Sequence, residues 1–199
     1  MVKALMVKAL MVAALLLAGV SVASAAEIGG DGLHKEDWFS LGFRDIREDM
    51  DTARAEGKGL VLVFEQRGCI YCAKMHEEIL SDGEVRDFIR SNFKVVQYNL
   101  FGSEEVTDLD GKSLVEKTAA RRWNVVFTPT IIFLPETAPE DVTVAQAAVA
   151  TMPGAFGKQT FLHMFQWVHE KGYATDEHFQ KYHARKLGEM RAQGANPGE

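Results

Sequence analysis

The 199-residue chain carries 28 acidic and 22 basic side chains, a net charge of −6, and 47% apolar residues. That is enough apolar material for one packed domain. The acidic balance argues against nucleic acid and against anionic membrane surfaces as partners.

Lys3 and Lys8 precede an apolar run from Ala9 to Val20, which gives way to small residues through Ala23-Ser24-Ala25. A basic start, a short apolar stretch and an Ala-x-Ala site predict a secretory signal peptide over residues 1–25. The competing reading is an uncleaved membrane anchor, but the uninterrupted run is short for a membrane span, and no cysteine follows it to carry a lipid. No stable membrane insertion is therefore expected after cleavage.

Gly29-Gly30-Asp31-Gly32 predicts a flexible lead-in over residues 26–36. From Asp37 the chain mixes aromatic and charged residues, and Trp38 and Phe39 read as cover for a core edge. Ile46 to Ala53 is amphipathic at helical spacing, and Gly57 ends the helix. Gly59-Leu60-Val61-Leu62-Val63-Phe64 is short, β-branched and bounded by glycine, the pattern of a buried strand. After Glu65-Gln66-Arg67-Gly68 come Cys69-Ile70-Tyr71-Cys72, and Met75, Ile79 and Leu80 then recur at helical spacing. The only two cysteines thus stand at the mouth of a helix, just past the carboxyl end of a strand.

The first turn of a helix leaves N–H groups unpaired, and its dipole favours negative charge. A thiol there has its thiolate stabilised, and the thiolate is the form that attacks a disulfide. Cys69, the first and more exposed, is assigned as attacking nucleophile. Cys72, one turn further in, is assigned as resolving thiol. Arg67 reads as a solvated loop residue. Two other chemistries use the same residues. A structural disulfide closing so short a loop would remove little entropy from the unfolded chain. A zinc or copper carrier would need Cys69, Cys72 and His76 as ligands, since there is no second cysteine pair. His76 by itself reads as a surface helix residue, and Glu65 as a solvated carboxylate at a strand end.

Downstream, Ser81-Asp82-Gly83-Glu84 caps a short helix that ends near Asn92. Phe93 to Leu100 is the second strand, and the strand–helix–strand order predicts a parallel pair. Gly102 to Lys112 is acidic and reads as a solvated connection. Ser113 to Trp123 is predicted helical throughout. Pro129 heads a core strand, Ile131 to Leu134, which Val142 to Ala150 is expected to join as a hairpin. Lys158 to Glu170 is a core helix, and Thr175 to Gln193 a further helix with Phe179, Tyr182, Leu187 and Met190 on one face. Residues 194–199 are expected to be disordered. No internal repeat or dividing linker is present.

Helix, strand, Cys-x-x-Cys helix, strand, helix, then x-Pro, strand, strand, helix is an order that resembles the thioredoxin fold. The likeness runs from about Trp38 to Gly172 and is anchored by Cys69-Ile70-Tyr71-Cys72 and Thr128-Pro129. Phe64-Glu65-Gln66-x-Gly68-Cys69-x-Tyr71-Cys72-x-x-Met75-His76, with Asn99-Leu100-x-Gly102-Ser103 and Phe127-Thr128-Pro129-Thr130, is similar to the SoxW-type periplasmic thioredoxins of bacterial sulfur-oxidation clusters. The fold so implied is α/β, a central mixed sheet flanked by helices, with an N-terminal helical extension and an extra C-terminal helix. Residues 37–172 would form the domain and 173–193 the added helix.

The resemblance further implies a periplasmic thiol-disulfide oxidoreductase that uses no cofactor, read as a reductase of protein disulfides, although the same residues could run backwards as an oxidase or shuffle disulfides as an isomerase. Pro129 would be cis beside the cysteines, with Thr128, Pro129 and Tyr71 meeting the client and Thr128 offering its backbone to an extended peptide. It implies client proteins bearing disulfides, with roles in sulfur oxidation or cytochrome maturation, and a membrane electron donor of DsbD or CcdA type. Two departures stand out. Ile70-Tyr71 replaces the usual Gly-Pro between the cysteines. Val63 stands where thioredoxins carry a buried acid, leaving Glu65 as the nearest acidic candidate for moving the Cys72 proton.

Overall fold

The computed structural model describes residues 26–195. The predicted leader over 1–25 and the end of the expected disordered tail, 196–199, lie outside the described residues.

Strand β3 (Gly59–Glu65) is the centre of a four-stranded mixed sheet. It runs parallel to β4 (Phe93–Asn99) on one side and antiparallel to β7 (Thr130–Phe133) on the other. Beyond β7 lies β8 (Ala150–Pro153), again antiparallel. Successive side chains of a strand point to opposite faces, and β3 uses both. Leu60, Leu62 and Phe64 enter one core with Ile46, Met50 and Trp123. Val61 and Val63 enter the other with Met75, Ile79, Ile89 and Phe165, and Trp38 and Phe39 pack against its margin.

Helix α1 (Ile46–Ala55) starts where the Asp45 carboxylate accepts the N–H groups of Arg47 and Glu48. Helix α2 (Ile70–Lys74) follows the cysteine loop, and α3 (Gly83–Asn92) is capped in the same way by Asp82. Helix α4 (Glu116–Arg122) lies on the first core, and α6 (Lys158–His169) and α7 (Phe179–Ala192) lie on the second. No helix among the described residues is long and apolar enough to cross a membrane.

Several expectations are corrected. The lead-in is a small hairpin, β1 (Glu27–Ile28) paired with β2 (His34–Lys35), with Leu33 buried beneath it. The glycines read as flexible supply its turn: Gly32 takes φ +80° and donates to Gly29 at 2.8 Å, while Asp31 accepts from Leu33 N–H. The cysteine helix does not run regularly to Leu80. From Met75 to Leu80 it widens into a π-helical turn, with Ser81 N–H reaching back to His76 C=O.

The acidic connection holds β5 (Glu105–Thr107), paired with β6 (Ser113–Val115), so the helix expected from Ser113 begins only at Glu116. Val106, Asp108 and Leu109 are buried there. The Asp108 carboxylate accepts Trp123 Nε1–H at 2.8 Å and Val144 N–H at 2.9 Å, which ties the loop to both neighbouring segments. The strand expected from Val142 is replaced by a helical turn, α5 (Val144–Ala147). Thr143 and Gln146 form a reciprocal capping box there, so strand pairing starts only at Ala150. The last helix begins at Phe179 rather than Thr175, and Tyr182 is its one fully buried residue. The outer edge of β4 is partly covered, since Ser40 N–H donates to Val95 C=O at 2.7 Å and Ser40 bridges Val96.

Candidate active site

Gly68 adopts φ +71°, a left-handed conformation open to glycine without strain, and so turns the chain from the end of β3 into α2. Cys69 is the N-cap, extended at φ −76° and ψ 103°, and its sulfur accepts Cys72 N–H at 3.0 Å. The two sulfurs are joined in a disulfide, with Cα atoms 5.2 Å apart. Cys69 is 7% exposed and Cys72 0%, so only the first sulfur can be reached from solvent.

A second segment closes over this pair. The Thr128–Pro129 peptide is cis, and Thr128 Oγ1–H donates to Cys69 Sγ at 3.2 Å. Pro129 C=O accepts Gly154 N–H at 2.7 Å, and Phe127 C=O accepts Thr130 Oγ1–H at 2.8 Å, so both ends of the turn are held. Cys69 Sγ thus faces two donors, one from the helix start and one from the proline turn. Donors aimed at a sulfur favour its anionic form. Ile70 and Tyr71 on the helix start, and Val126 and Phe127 ahead of the turn, are exposed apolar side chains flanking the more accessible sulfur of the pair. Arg67 donates to Gly30 C=O at 3.4 Å and so rests against the N-terminal hairpin.

His76 and Glu65 are not surface groups: they are 2% and 0% exposed. Glu65 shares the face of β3 that buries Val61 and Val63, and His76 lies one turn beyond the buried Cys72. Periodicity therefore turns both side chains inward. His76 Nε2 meets Glu65 Oε1 at 2.9 Å and His76 Nδ1 meets Glu36 Oε1 at 2.7 Å. Gln97 Nε2–H also donates to Glu65 Oε1, at 2.8 Å. Burial works against the imidazolium, but bonds to Glu36 and Glu65 outweigh it and lift His76 to about 9. His34 stacks on His76 with ring centroids 5.1 Å apart.

The cysteine sulfurs are bonded to each other and His76 is grouped with Glu65 and His34 instead, so the ligand set Cys69, Cys72 and His76 does not form. Sequence reasoning missed Glu36 and His34, which lie in or beside the segment read as flexible. The signal available was the inward register of Glu65, which requires a buried partner.

A family model described as a thioredoxin-like domain matches residues 46–169. A thioredoxin-fold protein of Helicobacter pylori is 19% identical over 69% of this chain and 85% of its own, with a TM-score of 0.53. A thioredoxin of Thermus thermophilus is 27% identical over 66% of this chain and 88% of its own, with a TM-score of 0.50. The reduced C-terminal domain of DsbD from Neisseria meningitidis is 17% identical over 61% and 91%, with a TM-score of 0.42. No curated protein matches the chain.

Proposed function

The chain belongs to the thioredoxin-like domain family and has the thioredoxin fold, and from that premise we propose that it is an exported, periplasmic reductase of protein disulfides. One observation carries the reading: a Cys69 sulfur at a helix N-cap that keeps a slight exposure, facing Cys72 N–H and Thr128 Oγ1–H, with Cys72 sealed behind it.

In the reduced protein, Cys69 thiolate attacks one sulfur of a client disulfide. A mixed disulfide forms, and the client's other sulfur leaves as a thiolate. Cys72 then loses its proton and attacks Cys69 Sγ, releasing the second client thiolate and leaving Cys69 bonded to Cys72. Two electrons pass from the dithiol to the client, and a membrane dithiol donor of DsbD or CcdA type restores them. Tyr71, Thr128 and Pro129 line the client's approach, with Thr128 pairing its backbone to the incoming peptide. The address follows from the leader predicted over 1–25. The motif wording around Cys69 and Thr128 supports a SoxW-type place in sulfur oxidation, or in cytochrome maturation.

The test is reduction of insulin disulfides by the reduced protein, together with covalent capture of clients in periplasm. Cys69→Ser should abolish reduction, and Cys72→Ser should accumulate mixed disulfides through Cys69. Full activity in Cys69→Ser would refute the assignment.

A further inference from the structure

We propose that His34, Glu65 and His76 form a binding site for one divalent cation of zinc type, separate from the dithiol. The three residues come from β2, the end of β3 and the π-helical turn, and each offers a ligand atom within 4.8 Å of the others. Two imidazole nitrogens with one carboxylate oxygen are the donor set of zinc sites that keep a fourth position open. Borderline nitrogen and oxygen donors suit zinc better than the hard oxygen-binding cations.

A second observation points to a ligand. Glu65 Oε2 is buried and has no hydrogen-bond partner, while Oε1 is already taken by His76 and Gln97. A buried carboxylate oxygen without a partner is costly. This one lies 4.0 Å from His34 Nδ1, so the space between them is bounded by an acceptor on one side and an imidazole nitrogen on the other. In a tetrahedral zinc site with bonds of about 2.0–2.1 Å, ligand atoms stand roughly 3.3–3.4 Å apart. The two Glu65 oxygens face different rings, Oε1 at 2.9 Å from His76 Nε2 and Oε2 at 4.0 Å from His34 Nδ1, and ligand atoms of the three residues lie within 4.8 Å of one another, so side-chain rotations must draw them in to reach that spacing.

The surroundings are those of a supported site. Glu36 Oε1 holds His76 Nδ1 at 2.7 Å, which leaves Nε2 as the liganding atom and fixes the ring's direction. A carboxylate on the far nitrogen of a liganding histidine is the usual outer partner of zinc-bound imidazole. Gln97 Nε2–H bridges His34 C=O at 2.7 Å and Glu65 Oε1, locking two of the three ligands to each other. The His34 side chain is 14% exposed and gives the ion a way in, while Glu65 and His76 are sealed. On binding, the cation takes the place of the proton at His76 Nε2, which leaves to solvent.

The test uses the full chain carrying Cys69→Ser and Cys72→Ser, which removes the thiols as competing ligands and makes the result independent of the redox reading. Zinc titration by calorimetry should give one equivalent bound. Cobalt substitution should give the visible absorption of a nitrogen- and oxygen-ligated ion. Adding His34→Ala, at the partly exposed ligand where folding is least at risk, should weaken zinc binding roughly ten- to hundredfold, and Glu36→Gln should weaken it about tenfold. No zinc bound by the doubly substituted chain, or an affinity unmoved by His34→Ala, would overturn the proposal.

Discussion

Replacing Thr128 with valine keeps the shape of the proline turn and removes one atom that matters, the hydroxyl 3.2 Å from Cys69 Sγ. In the reduced protein that hydroxyl and Cys72 N–H are the two donors placed to hold the thiolate. A hydrogen bond to a charged acceptor contributes about 1.5–3 kcal/mol, and the long contact to a large sulfur belongs at the lower end. At 1.36 kcal/mol per pKa unit, losing about 1.5 kcal/mol raises the Cys69 thiol by roughly one unit. The assay is the ultraviolet absorbance of the thiolate against pH in Cys72→Ser, with and without Thr128→Val. The rate of alkylation of Cys69 over the same range is a second readout. Near neutral pH the alkylation rate should fall severalfold, while the rate at a pH above both midpoints should not change. If the two titration midpoints coincide, the hydroxyl does not stabilise the thiolate and the account of Cys69 activation is wrong.

Acid should loosen the packing of α7 on α6. His163 is buried with its Nδ1 2.7 Å from Nδ1 of His183, and burial first, then the positive charge of His183 and Lys186, push it down to about 4. A folded value below the unfolded 6.5 means stability is intact above 6.5 and is lost as pH falls from 6.5 towards 4. Between pH 7 and pH 5 the loss comes to about 2 kcal/mol, read by urea unfolding as a pH slope that His163→Leu should flatten. Asp108→Ala leaves Trp123 Nε1–H and Val144 N–H unpaired in the core, and chemical denaturation should show a loss of about 2–4 kcal/mol. A denaturation midpoint like that of the parent would show that the loop is held by other contacts. Ile70→Ser with Phe127→Ser should raise KM for a protein disulfide severalfold while leaving reaction with a small dithiol unchanged. An equal effect on both substrates would remove the rim from client binding.

The central sheet and the cysteine helix were readable because their signals are local. Gly59 to Phe64 is β-branched and bounded by glycine, and Cys69 falls where a strand pattern turns into a helical one. What was not readable depends on partners distant in sequence. His76 and Glu65 look like solvated polar residues until Glu36 and Gln97 are brought to them from 40 and 32 residues away. The acidic stretch from Gly102 looks solvated because nothing local reveals that Asp108 will receive the Trp123 indole. The weak alternation from Val142 reads as a strand, but the capping box of Thr143 and Gln146 outweighs it at close range. The glycines near Gly30 read as looseness, whereas a tight turn needs the same residues.

The sheet also limits how copies of this protein can join. A free flank invites another backbone to zip onto it. Along β4, Ser40 already occupies the middle of that flank. The opposite flank, β8, is four residues long and closes in Pro153, which has no N–H to donate. Neighbouring molecules therefore find little purchase for edge-to-edge growth along this sheet.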